Sequence, residues 1–396
     1  MIEVCNISDC CGCGACHAVC PHGAIRMSPG LLGALHPEIS QEKCVDCGLC
    51  RKVCPVVNPV RQKDSLYSYC AYDTSDAGRA SSSSGGAASA LAEAVLSAGG
   101  VVYGCGQKPG PAIGHLRVDS LEDAALLKGS KYVQSNLETV YEDIRKDLDR
   151  GLDVLFIGTP CQVAGVLNYT SMQPLKTGSL HTVDLCCHGV PSDRMLKEHL
   201  DYLGFGSSQV CVAFREKTGS RPAYMFKVTD SGGKTLYKAS AHKDFYMAGF
   251  MSGLYCRENC FSCRYASPER CSDITLADHW AMGDSDDPEM ILSKGVSTVL
   301  VNTSEGESLL SMAAHLLRIE ERPFEESLRN GRFIAPLPRP EDYYDFADAL
   351  NENGYVIACR RHVTPICRKL RRDKWKADYY ASPVRKFIRK LFKLSK

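Results

Sequence analysis

Two cysteine-rich runs near the start of the chain carry residue types whose spacing indicates chemistry. Each run spaces four cysteines as C-x2-C-x2-C-x3-C and ends on a proline, Pro21 or Pro55. The eight cysteines are Cys10, Cys13, Cys16 and Cys20 in the first run, and Cys44, Cys47, Cys50 and Cys54 in the second. Thiols crowded in this way form disulfides, bind a metal ion or hold an iron–sulfur cluster.

The spacing favours the last of these chemistries. It is that of bacterial ferredoxins, in which three cysteines of a run hold one [4Fe–4S] cluster and the fourth binds the other cluster. Cluster one is expected to take Cys10, Cys13, Cys16 and Cys54, and cluster two Cys44, Cys47, Cys50 and Cys20, which leaves Cys11 as a spare thiol. Structural zinc sites also use C-x2-C pairs, but they have no use for eight cysteines in this doubled register. Two clusters in one small module indicate electron transfer rather than catalysis.

The composition places these thiols in a reducing compartment. The chain has 396 residues, a formal net charge of +1 and 22 cysteines. Its first residues lack the basic and apolar regions of a signal peptide, and no apolar run reaches the roughly 20 residues of a spanning helix. We therefore expect a globular cytoplasmic protein, in which C-x2-C cysteines are typical of metal ligands or catalytic groups rather than disulfides.

Strands and helices alternate after these runs, and they position further candidate residues. A small-residue loop, Ser81–Gly86, precedes a predicted helix over 87–98 and a strand over 101–104. Its N–H and hydroxyl groups at a helix N-terminus would suit a phosphate, although such turns are commonly linkers. A helix over 137–148 and a strand over 153–157 follow, and Cys161 opens the next helix.

A further strand ends in Cys186, Cys187 and His188, and a helix follows it. Ligands bind at such strand-to-helix turns in α/β sheets, and the alternation itself predicts an α/β fold. The segment 210–240 alternates differently and turns at Gly232–Gly233, which predicts an antiparallel hairpin.

A third group of cysteines follows the hairpin. Cys256, Cys260, Cys263 and Cys271 are spaced C-x3-C-x2-C-x7-C, which is also compatible with a four-cysteine zinc knuckle. The remaining thiols are expected to pack as small apolar side chains; they are Cys5, Cys70, Cys105, Cys211, Cys359 and Cys367.

Six motifs together resemble one family. They are "SSSGGAASAL", "GSKYVQS", "IGTPCQVAG", "CHGVPS", "CFSC" and "SDITLADHW". In this order they are similar to the coenzyme F420 hydrogenase/dehydrogenase beta subunit family, from about residue 5 to residue 310, and to its bacterial branch, often encoded near polysaccharide-biosynthesis genes. The resemblance implies an FAD-containing iron–sulfur oxidoreductase, in which the ferredoxin module feeds a flavin domain with one further [4Fe–4S] cluster.

The resemblance also implies site residues. By motif match, the ligands of the third cluster are Cys161, Cys187, Cys260 and Cys263. The residues implied to line the flavin are Ser83, Ser84, Gly85, Gly86, Gly129, Ser130, Lys131 and Tyr132. Cys256 or Cys271 could replace Cys161 or Cys187 in a purely local four-cysteine site, and both alternatives stay open here. No residue that would bind a deazaflavin is identified by the sequence.

The end of the chain has a different charge balance. Residues 360–396 hold 14 Lys and Arg against 2 Asp and Glu, a net charge of +12, which leaves −11 for the first 359 residues. Apolar residues at helical spacing on one face, opposite basic ones, predict a basic amphipathic helix; they are Val384, Phe387, Ile388, Leu391 and Phe392. Such a helix suits an anionic membrane surface or an acidic partner, or the protein's own acidic body. Nucleic acid is disfavoured because the rest of the chain is acidic.

Together these features predict a mixed α+β and α/β protein. The expected domains are a dicluster ferredoxin domain (1–60), an α/β flavin-binding iron–sulfur domain with an antiparallel β insertion (61–330), and a C-terminal extension (331–396). The leading hypothesis is an oxidoreductase that passes electrons between the ferredoxin module and FAD, to reduce or oxidise a small molecule or a deazaflavin. The alternative is an adaptor without its own substrate that serves a redox partner protein. The cytoplasmic protein would then lie at the inner face of a membrane if its last helix binds lipid.

Overall fold

The computed structural model describes residues 3–381, apart from 108–109, 111, 138, 173–177, 219–220, 281–284 and 286. The strands of the described residues are β1 (Ile25–Pro29), β2 (Leu35–Ile39), β3 (Tyr67–Asp73), β4 (Val101–Gln107), β5 (Ile113–Val118), β6 (Val154–Gly158), β7 (Leu180–Leu185), β8 (Val210–Thr218), β9 (Arg221–Asp230), β10 (Thr235–Ser240), β11 (Ile274–Asp278), β12 (Ser297–Val301) and β13 (Leu317–Glu321).

Helices of the described residues fall into two kinds. The α-helices are α1 (Ala15–Ala18), α2 (Leu49–Val53), α3 (Asp76–Ser81), α4 (Ala87–Ser97), α5 (Val140–Asp149), α6 (Pro160–Ser171), α7 (Asp193–Tyr202), α8 (Phe245–Met251), α9 (Ser304–Met312), α10 (Phe324–Ser327), α11 (Tyr343–Asn353), α12 (Tyr355–Ala358) and α13 (Thr364–Ala381). Short 3₁₀ helices cover Ile7–Asp9, Leu31–Gly33, Asp123–Leu127, Ala241–Lys243, Glu258–Ser262, Leu292–Lys294, Ala314–Leu316 and Gly331–Phe333, and a π-helical turn covers Cys359–Val363.

Each cysteine-rich run folds into a loop followed by a one-turn helix. Gly14 and Gly48 precede α1 and α2 with φ of 82° and 73°, a left-handed conformation that glycine adopts without a steric penalty. Between the two runs lies the antiparallel pair β1–β2. The repeated loop and helix place the two sets of thiols in one small N-terminal domain.

A large mixed sheet forms the centre of the molecule. Its strand order is β13-β3-β12-β11-β7-β6-β4-β5, and β4, β6, β7 and β11 are mutually parallel along it. Their carboxyl ends therefore meet at one edge, where α/β sheets bind ligands. This is the mixed α/β fold that the alternating pattern predicts.

The helices cover the sheet with the faces that their sequences predict. In α5, Val140, Ile144 and Leu148 are buried at a spacing of four residues, as expected for one face of a helix. Helix α4 buries a row of alanines together with Leu91 and Val95 against the sheet. The predicted elements from 87 to 204 thus form, with ends that shift by a few residues.

The hairpin expected at 210–240 is part of a three-stranded antiparallel sheet, β10-β9-β8. Its second turn lies between β9 and β10, where Gly233 has φ of 81°. Phe214 and Phe226 of this sheet share a core with Tyr343, Phe346 and other apolar residues of α7, α8 and α11–α13. The segment after residue 330 therefore helps to bury the insertion, at least through Cys367.

The basic amphipathic face at 384–392 lies outside the described residues and stays a prediction. None of the helices described through residue 381 is long and apolar enough to cross a membrane.

His115 gives the stability of the fold an expected pH dependence. Its Nε2 donates to the Ile157 carbonyl at 3.0 Å and its Nδ1 accepts from the Ser135 hydroxyl at 2.6 Å, and burial lowers its pKa to about 4. Between pH 6.5 and 4 the unfolded state therefore binds a proton that the folded state does not. The free energy of unfolding should fall with falling pH in this window, by up to about 1.4 kcal/mol per pH unit from this group.

The measurement compares thermal midpoints of the wild type and His115→Gln from pH 7 to pH 5. The wild type should lose more stability than the variant as the pH falls. Parallel curves would contradict a neutral, buried His115 as the source of the difference.

Candidate functional site

The second cysteine run and the last cysteine of the first run line one pocket. Cys44, Cys47 and Cys50 surround it, and Cys20 reaches it from the other run. The Cys20 sulfur accepts a hydrogen bond from the Ala24 N–H at 3.3 Å. This is the grouping expected for cluster two.

The four cysteines expected at cluster one are all buried. Cys10, Cys13, Cys16 and Cys54 are 6–8% exposed. The Cys5 thiol, expected only to pack, lies beside both Cys10 and Cys54, and its contact with them lowers the pKa of Cys10 to about 4 and that of Cys54 to about 7. Cys54 of the second run therefore lies with Cys10 of the first, and Cys5 joins their surroundings.

A second pocket lies at the carboxyl edge of the parallel strands, and five cysteines line it. One is Cys11 of the first run, and the other four, from three segments of the larger domain, are Cys161, Cys187, Cys260 and Cys263. Cys161 opens α6 directly after β6, where Thr159 and Gln162 form a capping box. Cys187 stands two residues after β7, and Cys260 and Cys263 lie in and just after the 3₁₀ helix Glu258–Ser262. The fold thus brings together the four cysteines that the family motifs imply.

The alternative ligands do not line this second pocket. Cys256 is fully buried, and a side chain at Gly189 would lie 2.7 Å from its sulfur. The Cys271 sulfur lies 3.7 Å from the Pro160 carbonyl oxygen and 4.0 Å from Asp184 Oδ2. Neither is among the residues around the pocket of Cys161. The geometry favours the set drawn from three segments over a local four-cysteine site.

The donors around this pocket fit a [4Fe–4S] cluster. Burial raises the pKa of Cys187 and Cys260, so without a metal these thiols stay protonated, whereas a coordinating thiol loses its proton. Arg257 lines the pocket with its buried Nε unpartnered among the described residues, a donor available to a cluster sulfur. Across the described part of the chain, no three His, Cys, Asp or Glu side chains are grouped to hold a single metal ion.

The residues implied to line a flavin lie on two loops that contact each other. The Ser83 hydroxyl accepts from the Ser130 N–H at 2.7 Å. Lys131 donates to the Leu127 and Lys128 carbonyls at 2.9 and 2.8 Å, and burial lowers its pKa to about 8.

Other polar groups on these loops already form hydrogen bonds within the protein. Ser84 donates to the Val296 carbonyl at 2.8 Å, and the Gly85 N–H donates to the Ser297 hydroxyl at 3.0 Å. A side chain at Gly85 would lie 2.3 Å from the Ala71 carbonyl oxygen, so this glycine packs against the sheet. Gly86 precedes α4 with φ of 100°. Part of the predicted cradle therefore anchors the loop instead of facing a phosphate.

Charged residues of β8, which sequence reasoning missed, complete this region. Lys217 donates to the carbonyls of Arg79 and Ser84. Arg215, with a side chain 5% exposed, donates to Asp278 Oδ2 at 2.7 Å. Its Nε and Nη2 have no hydrogen bond of normal geometry among the described residues, although the Tyr132 hydroxyl is near. In the sequence these two residues were visible as cations at positions i and i+2 of a predicted strand, a spacing that places both side chains on one face of the sheet.

Aromatic and titratable side chains surround Arg215. Its guanidinium lies 5.2 Å from the Tyr224 ring centre, and Tyr132 stacks on Phe250 with ring centres 4.5 Å apart. Burial lowers the pKa of His188, and the negative charge of the Asp278 carboxylate partly offsets this lowering. Aromatic rings thus lie beside a buried guanidinium that is paired with Asp278 through one nitrogen and keeps Nε and Nη2 available to an anionic group.

The small domain is held against the sheet domain by bonds to its backbone. Side chains of the larger domain donate to carbonyls of the first 58 residues; the donors are Gln134, Tyr141, Asn168, Ser192 and Arg257. Tyr141 reaches the Cys13 carbonyl at 2.8 Å, and Ser192 the Leu32 carbonyl at 2.5 Å. The loop of cluster one therefore faces the larger domain.

A ferredoxin-type module fixed on an α/β domain defines an iron–sulfur electron-transfer protein. Residues 9–58 match the model of the 4Fe-4S dicluster domain, which supports the iron–sulfur clusters. Residues 152–327 match the model of the C-terminal part of the coenzyme F420 hydrogenase/dehydrogenase beta subunit. Residues 152–327 belong to that family of oxidoreductase subunits, and the resemblance seen in the motifs is confirmed.

Individual proteins are more distant. The F420-reducing [NiFe] hydrogenase complex from Methanosarcina barkeri, solved as a xenon derivative, contains a similar chain. The two chains are 20% identical, the match covers 69% of this chain and 90% of that one, and the TM-score is 0.48. No curated protein matches this chain.

Proposed function

We propose that the chain is an FAD-dependent iron–sulfur oxidoreductase with three [4Fe–4S] clusters. Two clusters occupy the ferredoxin-type domain, and the third is bound by Cys161, Cys187, Cys260 and Cys263. The observation that carries the proposal is the convergence of these four cysteines, from three separate segments, on one pocket beside the cluster-one loop.

The flavin is proposed to lie between the two contacting loops and the charged end of β8. A bound flavin exchanges two electrons with a substrate and single electrons with the clusters. Lys131 and Arg215 would balance its negative charge, and Tyr132 and Tyr224 would supply apolar ring contacts. Ser83 and Ser130 fix the two loops to each other at 2.7 Å, and so set the shape of this region.

The substrate is proposed to be a small molecule or a deazaflavin that approaches the carboxyl edge of the sheet. His188 and Asp278 stand at the ends of neighbouring parallel strands, and Arg332 lines the pocket next to His188. Two arginines and a histidine in this region favour a substrate with an acidic group. A polysaccharide-biosynthesis setting rests on the family resemblance alone.

An adaptor function is the second candidate. The pocket of cluster two includes exposed Cys47 and Val45, which is 59% exposed, so that a redox partner could approach cluster two. The matched family is one of beta subunits of hydrogenases and dehydrogenases, which supports an enzyme as that partner. In that case the chain delivers electrons without a substrate of its own.

Anaerobic purification followed by iron, acid-labile sulfide, zinc and flavin analysis tests the proposal. We expect about twelve iron atoms per chain, from three four-iron clusters, and one FAD. A content of about eight iron atoms per chain, the iron of two clusters, would show that the third cluster is absent. Abundant zinc with little sulfide would refute the iron–sulfur assignment of the pockets. Turnover with a small-molecule donor and no added protein separates the enzyme from the adaptor.

A further inference from the structure

Arg257 joins the loop of cluster one to the pocket of the third cluster. It is 2% exposed, and its Nη2 donates to the carbonyls of Cys10 and Leu35, both at 2.9 Å. Nη1 donates to Gln134 Oε1 at 2.9 Å, while Nε has no partner among the described residues. One buried arginine thus binds the backbone of a cluster-one ligand, keeps an N–H without a partner among the described residues, and lines the pocket of the third-cluster cysteines.

Gln134 and Gly12 fix this arrangement from the other side. Gln134 Nε2 donates to the carbonyls of Cys11 and Gly12 at 3.0 and 3.2 Å. Gly12 has φ of +64°, and a Cβ atom there would lie 2.6 Å from Arg257 Nη1. A side chain at this position is therefore excluded both by backbone strain and by the approach of Arg257.

Cys11, the spare thiol of the first run, lines the pocket of the third cluster. Its side chain adjoins both Cys13 and Cys161, because its contact with Cys13 raises the pKa of Cys11 and its contact with Cys161 raises the pKa of Cys161. Helix α6, which begins with Cys161, also packs on Cys13, because a Cβ atom at Gly165 would lie 3.1 Å from the Cys13 sulfur. Thiols assigned to two different clusters are thus separated by a single side chain.

We propose that electrons pass directly between cluster one and the third cluster across the Cys10–Cys13 loop, with Arg257 as the positioning residue and Cys11 as the packed contact between them. This inference rests on the proposed third cluster. The step moves one electron: cluster one is oxidised as the third cluster is reduced, and no bond or proton changes place. Cluster two, with exposed Cys47, then lies at the outer end of the chain of clusters and meets the external redox partner.

The test is electron paramagnetic resonance of the dithionite-reduced full-length protein, together with freeze-quench kinetics. The wild type should show spin–spin broadening between cluster one and the third cluster. Arg257→Gln should reduce that broadening and slow electron transfer between them, because the cluster-one loop is no longer held at its distance from the third cluster. Arg257→Lys keeps the positive charge but not the planar set of guanidinium donors. It should therefore lose as much spin–spin broadening as Arg257→Gln, with a smaller change in the midpoint potential of the third cluster.

Arg332→Gln is the matched control for charge. Arg332 lines the same pocket but donates to Ala335 rather than to the ferredoxin-type domain. It should shift the potential of the third cluster and leave the spin–spin broadening unchanged, because the distance between the two clusters stays the same. Equal loss of broadening in Arg332→Gln and Arg257→Gln would show that Arg257 acts only through its charge, and would overturn its positioning role.

Cys11→Ala is a milder second variant that keeps all twelve proposed ligands, and Cys186→Ala, also next to a proposed ligand, is its control. Cys11→Ala should slow the transfer and Cys186→Ala should not; equal rates in both would overturn the role of Cys11. Three clusters without broadening in the wild type would overturn the direct route and leave the proposed function standing. Only two clusters in the wild type would overturn both.

Discussion

Cys161→Ser, Cys187→Ser, Cys260→Ser and Cys263→Ser are each expected to lower the iron content from about twelve to about eight atoms per chain, the iron of one cluster. Each removes a thiolate from the same pocket, while the thiols of the ferredoxin-type domain stay in place. The paramagnetic spectrum should lose one component and keep two. Reduction of the flavin from the ferredoxin side should stop, because the proposed path to it passes through this pocket.

Cys256→Ser and Cys271→Ser are the matched controls for this result. Both cysteines lie in the same segment as Cys260 and Cys263, but neither lines the pocket. They should keep all three spectral components. Loss of one component in Cys271→Ser, with none in Cys161→Ser, would establish the local four-cysteine site instead.

A large loss of stability is expected for Asp184→Ala. Arg270 and Asp184 form an ion pair at 2.8 Å with side chains 1% and 0% exposed. Arg270 also donates to the Tyr265 carbonyl at 2.7 Å and to Thr275 Oγ1 at 3.1 Å, so it fixes the segment that follows Cys263. Removing one partner of a buried pair leaves an uncompensated charge, which costs about 3–5 kcal/mol.

Chemical denaturation of the anaerobic protein measures this cost, and Glu38→Ala is the control. Glu38 pairs with Arg26 at 2.7 Å on the surface, where ion pairs contribute little, so its loss should leave the denaturation midpoint unchanged. Replacing both partners, as Asp184→Leu with Arg270→Met, should recover part of the stability. A midpoint for Asp184→Ala equal to that of the wild type would contradict the role given to the pair.

Residues close in sequence or at strand ends were the predictable part of the site. The proline-ended spacing indicated that Cys20 and Cys54 exchange places between the runs, and the structure groups them in that way. Cys161 and Cys187 were placed by the rule that parallel strands present their carboxyl ends together. Helix and strand order from 87 to 204 followed from periodicity, since apolar spacing reports which face of an element is buried.

Contacts between distant segments were not predictable. Arg257 lies 247 positions after Cys10 in the chain, and nothing in its local sequence marks it as buried. Cys5 and Cys11 were assigned no role because their neighbours are set by how the two domains pack. Arg215 and Lys217 were visible as two cations in a strand, but only the fold shows that they meet Asp278 and Ser84.

The bonds that hold the small domain in place end on main-chain oxygens, and this has a consequence for protein engineering. Carbonyls are present whatever the side chain, so these hydrogen bonds make no demand on the side chains of the module. The other demands are apolar residues in the shared core, such as Val4, Ala15, Ile25 and Val53, and glycines at positions 12 and 33, where a side chain would meet Arg257 or Arg194. A dicluster module from another protein that meets these demands is therefore a suitable graft onto residues 61–396. Chimeras of this kind would allow the reduction potentials of the ferredoxin-type clusters to be varied while the larger domain stays constant.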